Sequence, residues 1–373
     1  MAYIAAASTA FPTHYYPQEV LATTLKKYFM ISQLDFDLEV IDRFFTNVAI
    51  EGRYFMLPLD SFFDPPTVET GFQATVEATV SLLEVAVRQL LEKASLAPED
   101  ISQLTTTTLV SAVPSVDARL MNRVPFAPQI KRLPIGGVGC MGGAFGVARV
   151  ADYLRGHPTE TALIAAAEPS SALWLGSLQR DLAAMIHQLP EDPSQYSDIV
   201  MTIITAALFG DGAGAVLMVG DEHPLAQPGC PQVIDSVSML LPDTIDLMGM
   251  ERVNTGTRNI LRPEVSEYAR EGLRRAIDPL LEKHNLSSDK IERWLVHPGG
   301  PKIISAVTEE FGLEDRALQC SREVLAKVGN ISSPTVLYIL DQVLAEAPPA
   351  SGAYGLMIAM GPGFSQEVLL LKW

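Results

Sequence analysis

The sequence predicts an α/β protein made of two halves of similar design, and three observations lead there. Apolar strands alternate with amphipathic helices through both halves. Of the 373 residues, 48% are hydrophobic and only 19% charged, which is ample material for large cores. A polar, proline-bearing stretch at 221–232 separates the halves, dividing the chain into 1–225 and 226–373.

The elements follow in order. MAYIAAASTAFP opens the chain as a first strand, since it has no basic leader and reaches a proline too early for a signal peptide. EATVSLLEVAVRQLLEKASL (77–96) carries its apolar residues on one helical stripe, and LTTTTLV (104–110) is a β-branched strand. MGGAFGVARVADYLRG (141–156) is a small-residue helix and TALIAAAE (161–168) a buried strand. DLAAMIHQLPEDPSQYS (181–197) reads as an inserted amphipathic helix and loop near the mouth of any site. ALFGDGAGAVLMVG (207–220) then turns into a strand; the glycine spacing of GDGAGA does not fit a nucleotide loop. In the second half, 264–286 is a helix, RWLVHPGG (293–300) a strand ending in a histidine loop, and 302–313 a helix. The segment 332–347 is a helix with serine caps and Pro334 in its first turn. YGLMIAMGPGFSQEVLLLKW (354–373) closes as strand, turn and strand.

Charge and cysteine usage exclude several functions. A net charge of −17 repels nucleic acid and anionic membranes. No apolar run approaches the roughly 18 residues of a membrane helix. Three widely spaced cysteines, Cys140, Cys230 and Cys320, fit neither a disulfide framework nor a metal site, and the scattered histidines lack ligand spacing. A cytoplasmic setting is expected.

Chemistry is expected at Cys140, in GGVGCMGGAFG, where a loop hands over to a helix. Backbone N–H groups and the helix dipole favour a thiolate there, and the glycines leave room for an acyl chain, or else for close helix packing. His297 ends an apolar strand in WLVHPGG, and Asn330 stands in KVGNISSP, where it also suits a helix cap. A nucleophile, an imidazole and an amide donor together form the set that acyl transfer from a thioester needs, with imidazolium keeping the sulfur ionised.

Several stretches carry a family resemblance: EGRYFMLPL, VPSVDARLMNR, KRLPIGGVGCMGG, ALFGDGAGAV, WLVHPGGPKII, GNISSPTVLYIL and AMGPGFSQEV, in this order along nearly the whole chain. The sequence resembles the type III polyketide synthases, the superfamily of chalcone synthase and bacterial alkylresorcinol and alkylpyrone synthases. The resemblance implies a thiolase-like fold, two αβαβα halves packed as a layered sandwich, and a homodimer. It implies acylation of Cys140 by a starter and malonyl-CoA decarboxylation promoted by His297 and Asn330. Cyclisation to a resorcinol, pyrone or related product follows, with CoA thioesters as substrates and no resident cofactor or metal. By the same match Phe209 is an aromatic gatekeeper, Thr257 replaces a second one, and Thr108, Val113, Leu173 and Ser332 line the cavity. Gly361, Pro362 and Gly363 shape it, and Glu168 is a structural acid near it.

The sequence departs from the family in its thin basic cluster. Of the residues expected to hold CoA phosphates only Arg43 and Arg53 remain, with Lys302 as a substitute. Delivery of the starter by an acyl carrier protein is therefore left open, with Arg119, Arg123, Lys131 and Arg132 as either a docking patch or ordinary surface. Two alternatives stand beside this reading: a single-condensation enzyme like β-ketoacyl-carrier-protein synthase III, and a non-catalytic dimeric scaffold.

Overall fold

Why the strand TALIAAAEP lies in the interior of a sheet covered on both faces follows from its side chains, all of them buried. Such a strand needs a helix on either side. The computed structural model describes residues 1–64, 66–253, 256–346 and 348–373, and the side chains of all these except 173–181 and 252–258.

The first half runs β1 (Ala2–Ala10), β2 (His14–Pro17), α1 (Gln18–Ile31), α2 (Leu38–Asn47), β3 (Gly52–Phe55), α3 (Val68–Ala94), β4 (Gln103–Thr107), α4 (Val116–Leu120), β5 (Lys131–Ile135), α5 (Gly142–Arg155), β6 (Thr161–Pro169), α6 (Ser170–Gln188), α7 (Gln195–Leu208) and β7 (Asp211–Gly220). The second runs β8 (Gln232–Leu240), β9 (Met248–Val253), β10 (Gly256–Leu261), α8 (Val265–Lys283), β11 (Ile291–Val296), α9 (Pro301–Phe311), α10 (Gln319–Val328), α11 (Pro334–Glu346), β12 (Tyr354–Gly361) and β13 (Ser365–Lys372).

Nine strands form one sheet in the order β11-β12-β13-β8-β1-β7-β6-β4-β5. The order β1-β7-β6-β4 repeats as β8-β13-β12-β11, with the same sequence of antiparallel, antiparallel and parallel pairings. β1 and β8 share only two residue pairs, Ala2 with Val233 and Tyr3 with Gln232. The sheet divides there, and α5 and α11 touch strands of both parts, so they form a middle layer. α3 covers the outer face of the first part and α8 that of the second. Five layers result. The middle core is built of small and branched residues such as Ala144, Val147 and Ala148 against Val336, Leu337 and Leu340.

The expected elements are present with shifted ends. α3 starts nine residues before the periodic stretch, where Thr67 caps it by accepting a hydrogen bond from the Thr70 N–H. The segment 181–197 is not a separate insertion; it ends α6 and begins α7. α1, α2, β5, α7, β8 and the β9–β10 hairpin were not foreseen.

The glycines beside Cys140 serve this packing. A Cβ on Gly143 would fall on the Ser333 carbonyl oxygen and 2.9 Å from Val336 Cγ1, and one on Gly142 would fall on the Thr107 hydroxyl. They let α5 close on β4 and α11, so the expectation that they clear space for an acyl chain is corrected. Gly143→Ala is expected to cost about 2–3 kcal/mol by overpacking, read as a lower urea midpoint with unchanged slope.

Candidate active site

Cys140 sits in a tight turn, Gly139–Met141, that leads into α5. Gly139 adopts a left-handed φ of +52°, and a Cβ there would lie 2.7 Å from Pro362 Cδ. A Cβ on Gly361 would in turn lie 2.5 Å from the Val138 carbonyl oxygen. The Gly361-Pro362-Gly363 turn between β12 and β13 therefore braces the cysteine turn. It does not itself line the cavity, as expected of it; its neighbours Met360 and Phe364 do.

The cysteine Sγ lies 3.5 Å from the Ser332 Oγ. Ser332 follows the Asn330 turn: its N–H donates to Asn330 Oδ1 at 2.8 Å, and Asn330 Nδ2 donates to the Gly299 carbonyl at 3.1 Å. Asn330 is thus both a turn-former ahead of α11 and a fixed amide whose other N–H faces the Cys140 sulfur. His297 continues the β11 ladder, its N–H donating to the Ile358 carbonyl at 2.8 Å. The residue is only 2% exposed, and neither ring nitrogen has a hydrogen-bond partner among the described residues.

Cys140, His297, Asn330 and Phe209 border one cavity of about 490 Å³. That volume suits a small-molecule site. Its walls are largely apolar. Val200, Ile204 and Leu208 of α7 form one side, and Met248 and Leu261 of the β9–β10 hairpin another. Burial pushes the Cys140 thiol up to about 11, with the nearby Glu168 carboxyl adding to the rise, while Ser332 and Asn330 pull it down by hydrogen bonding. Burial also pushes His297 down to about 3. Desolvation thus opposes the helix end here and works against the expected thiolate–imidazolium pair, favouring a neutral thiol and a neutral imidazole.

Glu168 is fully buried at the end of β6. Its Oε2 accepts the Leu109 N–H at 3.0 Å and its Oε1 the Ser333 hydroxyl at 2.7 Å. Thr108 bonds to the same carboxyl, so it belongs to this network and not to the cavity lining expected of it. Desolvation raises Glu168 to about 8 from the ordinary 4.5. The fold therefore binds a proton that the unfolded chain releases, and stability falls as pH rises from about 4.5 through 8. Glu168→Gln is expected to match the wild type near pH 4 and to exceed it at pH 8, measured by urea unfolding at both values.

Other expectations are corrected. Val113 is 95% exposed and does not line the cavity of its own chain; its loop faces outward. Ser332 touches the cysteine from behind and does not border the cavity. Arg53 is 1% exposed and holds the Phe209 carbonyl at 2.6 Å, so it is no ligand for CoA phosphate. The side chains of Leu173 and Thr257 lie outside the described residues.

Lys302, on the first turn of α9, borders the cavity, and exposed Arg43 lies one helical turn before the lining residue Asn47. Arg262 was missed by sequence reasoning. It borders the cavity beside α8 and pairs with Asp198 at 3.4 Å. The α7 wall was missed too, although the spacing 200, 204, 208 marks one face of a helix. Of the possible docking patch, Arg123 pairs with Glu77 at 2.5 Å, Lys131 with Glu160 at 3.6 Å and Arg132 with Asp117 at 3.1 Å. Arg119 donates to the Pro114 carbonyl at 3.0 Å.

Residues 20–185 match the family described as FAE1/type III polyketide synthase-like protein, and residues 231–373 match the chalcone and stilbene synthase C-terminal domain. The chain is 34% identical to a 1,3,6,8-tetrahydroxynaphthalene synthase of Streptomyces peucetius subsp. caesius, over 99% of this chain and 93% of that protein. It is 28% identical to a 3,5-dihydroxyphenylacetyl-CoA synthase of Streptomyces toyocaensis, over 88% of this chain and 81% of the other. The fold superposes on PKS-I from the brown alga Ectocarpus siliculosus with a TM-score of 0.84 at 23% identity, covering 100% and 98% of the two chains. It superposes equally, at a TM-score of 0.84 and 24% identity, on the tetrahydroxynaphthalene synthase of Streptomyces coelicolor, covering 100% and 99%. The layered architecture is thus thiolase-like. With a relative of such identity along nearly its whole length, the chain belongs to the type III polyketide synthases, acyltransferases that work on CoA thioesters without a resident cofactor.

Proposed function

We propose that Cys140 takes an acyl starter from a thioester and that malonyl-CoA then extends it in the same cavity. The thiol attacks the starter carbonyl as its proton passes to His297, and CoA leaves as the thiol. Malonyl-CoA loses CO2, and the enolate oxygen that forms is held by an N–H of His297 and the remaining N–H of Asn330. The enolate carbon attacks the Cys140 thioester, forming a carbon–carbon bond and releasing the cysteine for another round. Ring closure yields a resorcinol, pyrone or related aromatic. The observation that carries this reading is the convergence of Cys140, His297 and Asn330, from three separate elements, on one largely apolar cavity. The activities of the relatives, which include tetrahydroxynaphthalene, dihydroxyphenylacetyl-CoA and α-pyrone synthesis, support the product class.

Lys302, Arg262 and Arg43 are proposed to meet the phosphates of the CoA handle, Phe209 to gate the cavity, and Met360 and Phe364 to close it beside the braced turn. The repeated strand order supports two duplicated units, 1–225 and 226–373. Three free cysteines, and the absence among the described residues of any helix long and apolar enough to cross a membrane, fit a cytoplasmic setting.

A homodimer is proposed as well. β5 lies at the edge of the sheet with Leu133 exposed, and Val113 is another uncovered apolar side chain of the first half. Sedimentation velocity is expected to give a dimer, and Leu133→Glu a shift towards monomer. A wild-type monomer would remove this part.

The catalytic reading is tested by intact-protein mass spectrometry after mixing with a panel of acyl-CoAs. One acyl group should add, and Cys140→Ala should abolish the addition. Loading only from acyl carrier proteins would assign the delivery route to protein, and no loading from either would leave a dimeric scaffold.

A further inference from the structure

Arg53 is the largest fully buried side chain among the described residues, and phosphate binding does not use it. It reaches from β3 to the turn between α7 and β7. Nη1 donates to the Phe209 carbonyl at 2.6 Å, and Nε donates to Gln18 Oε1 at 3.1 Å. Gln18, also buried, returns its own Nε2 to the Ala207 carbonyl at 2.8 Å. Two carbonyls of the 207–209 segment are thereby held by one interlocked pair of side chains.

The stem of the arginine matters equally. A Cβ on Gly210 would lie 3.2 Å from Arg53 Cβ, and one on Gly329 would lie 2.8 Å from both Cγ and Cδ. Gly210 follows Phe209, and Gly329 precedes Asn330 with a left-handed φ of +71°. These two segments bond to each other: the Gly210 N–H donates to the Asn330 carbonyl at 3.0 Å, and the Asn330 N–H to the Leu208 carbonyl at 2.9 Å. Phe209 and Asn330 form an isolated parallel bridge between them. The guanidinium is flanked by the Phe45 and Phe55 rings, 5.8 and 5.3 Å from their centroids.

We infer that Arg53, locked by Gln18, is a positioning residue: it fixes the bridge that sets Phe209 and Asn330 at the edge of the cavity. The inference rests on the proposed role of Asn330 in decarboxylation. Only an arginine spans both acceptors from one planar fork while its stem fills the gap between two glycines; a lysine offers a single point charge. A displacement of about 1 Å at a group that must meet developing charge is enough for losses near a hundredfold.

The experiment follows three variants, Arg53→Met, Arg53→Lys and Gln18→Leu, by CO2 release from malonyl-CoA and by acyl loading of Cys140. Arg53→Met is expected to lower kcat for decarboxylation by about 30- to 100-fold, with Arg53→Lys between it and wild type and Gln18→Leu losing about fivefold. KM and Cys140 loading should stay within about twofold. A phosphate-binding role would instead raise KM for CoA thioesters and leave N-acetylcysteamine thioesters, which lack phosphate, untouched; that result overturns the inference. So does loss of decarboxylation and loading together, in proportion to unfolded protein. Should neither Arg53 variant fold, Gln18→Leu decides: wild-type decarboxylation there overturns it. Asn330→Ala run in parallel separates the two readings. If that variant decarboxylates normally, the proposed role of Asn330 fails. The crystal structure of Gln18→Leu still tests the positioning, because an unmoved 207–210 segment would refute it.

Discussion

In an Asn330→Ala variant, condensation is expected to fall by about 10²–10³-fold while the starter still loads onto Cys140, the scale seen when one preorganised oxyanion donor is removed. The reason lies in how the amide is held. Its oxygen is occupied by the Ser332 N–H and one of its N–H groups by the Gly299 carbonyl, so the plane is fixed and the remaining N–H needs no reorientation as charge develops. Asn330→Asp should be as damaging, because it replaces the donor by acceptors and sets a second carboxyl beside the sulfur already opposed by Glu168. The measurement is single-turnover: acyl addition by mass spectrometry against CO2 release and product by chromatography. Equal loss of loading and condensation would show that Asn330 acts on the thiol instead.

The second large effect is on the pH dependence of cysteine alkylation. With Cys140 raised to about 11, its thiolate fraction is small at neutral pH and grows tenfold for each unit below that value. Iodoacetamide labelling at Cys140 should therefore climb about tenfold per pH unit between 7 and 10, whereas a free thiol flattens near about 8.5. His297, held near 3 by burial, contributes no positive charge across this range. The sign matters for mechanism. A neutral imidazole can donate an N–H to an enolate oxygen and also accept the thiol proton as sulfur attacks, whereas a permanent imidazolium could do only the former. A labelling rate that is already at its plateau by pH 7 would mean that the cysteine and histidine rest as an ion pair, contrary to the burial argument.

How much could be read beforehand divides along physical lines. Strand and helix identity in the central layers was legible because full burial leaves long apolar runs, as in TALIAAAE and VLYIL. The convergence of the proposed catalytic trio on one cavity was legible because each member sits in a short motif whose glycines and prolines constrain the backbone. What could not be read was depth. Arg53 and Lys302 look alike as cations near motifs, yet one is sealed between Phe45 and Phe55 and the other borders the cavity. Burial of a charge depends on partners distant in sequence, here Gln18 and the Phe209 carbonyl, which no local pattern announces. The same holds for Thr108 and Ser332, which bond to Glu168 and Cys140 beneath the cavity and do not face it. The glycines at 142 and 143 were misjudged for a related reason: what a missing Cβ makes room for is set by Thr107 of β4 and by Ser333 and α11, elements far from them in sequence.

The brace between Pro362 and Gly139 has a consequence for the order in which the molecule is made. Cys140 leaves the ribosome well before the hairpin of β12 and β13, whose turn braces it from far along the chain. His297 and Asn330 also arrive after every element of the first half. A growing chain thus carries the cysteine before the residues proposed to act with it, and its proposed reactivity towards thioesters is expected only once that hairpin has closed onto the first half.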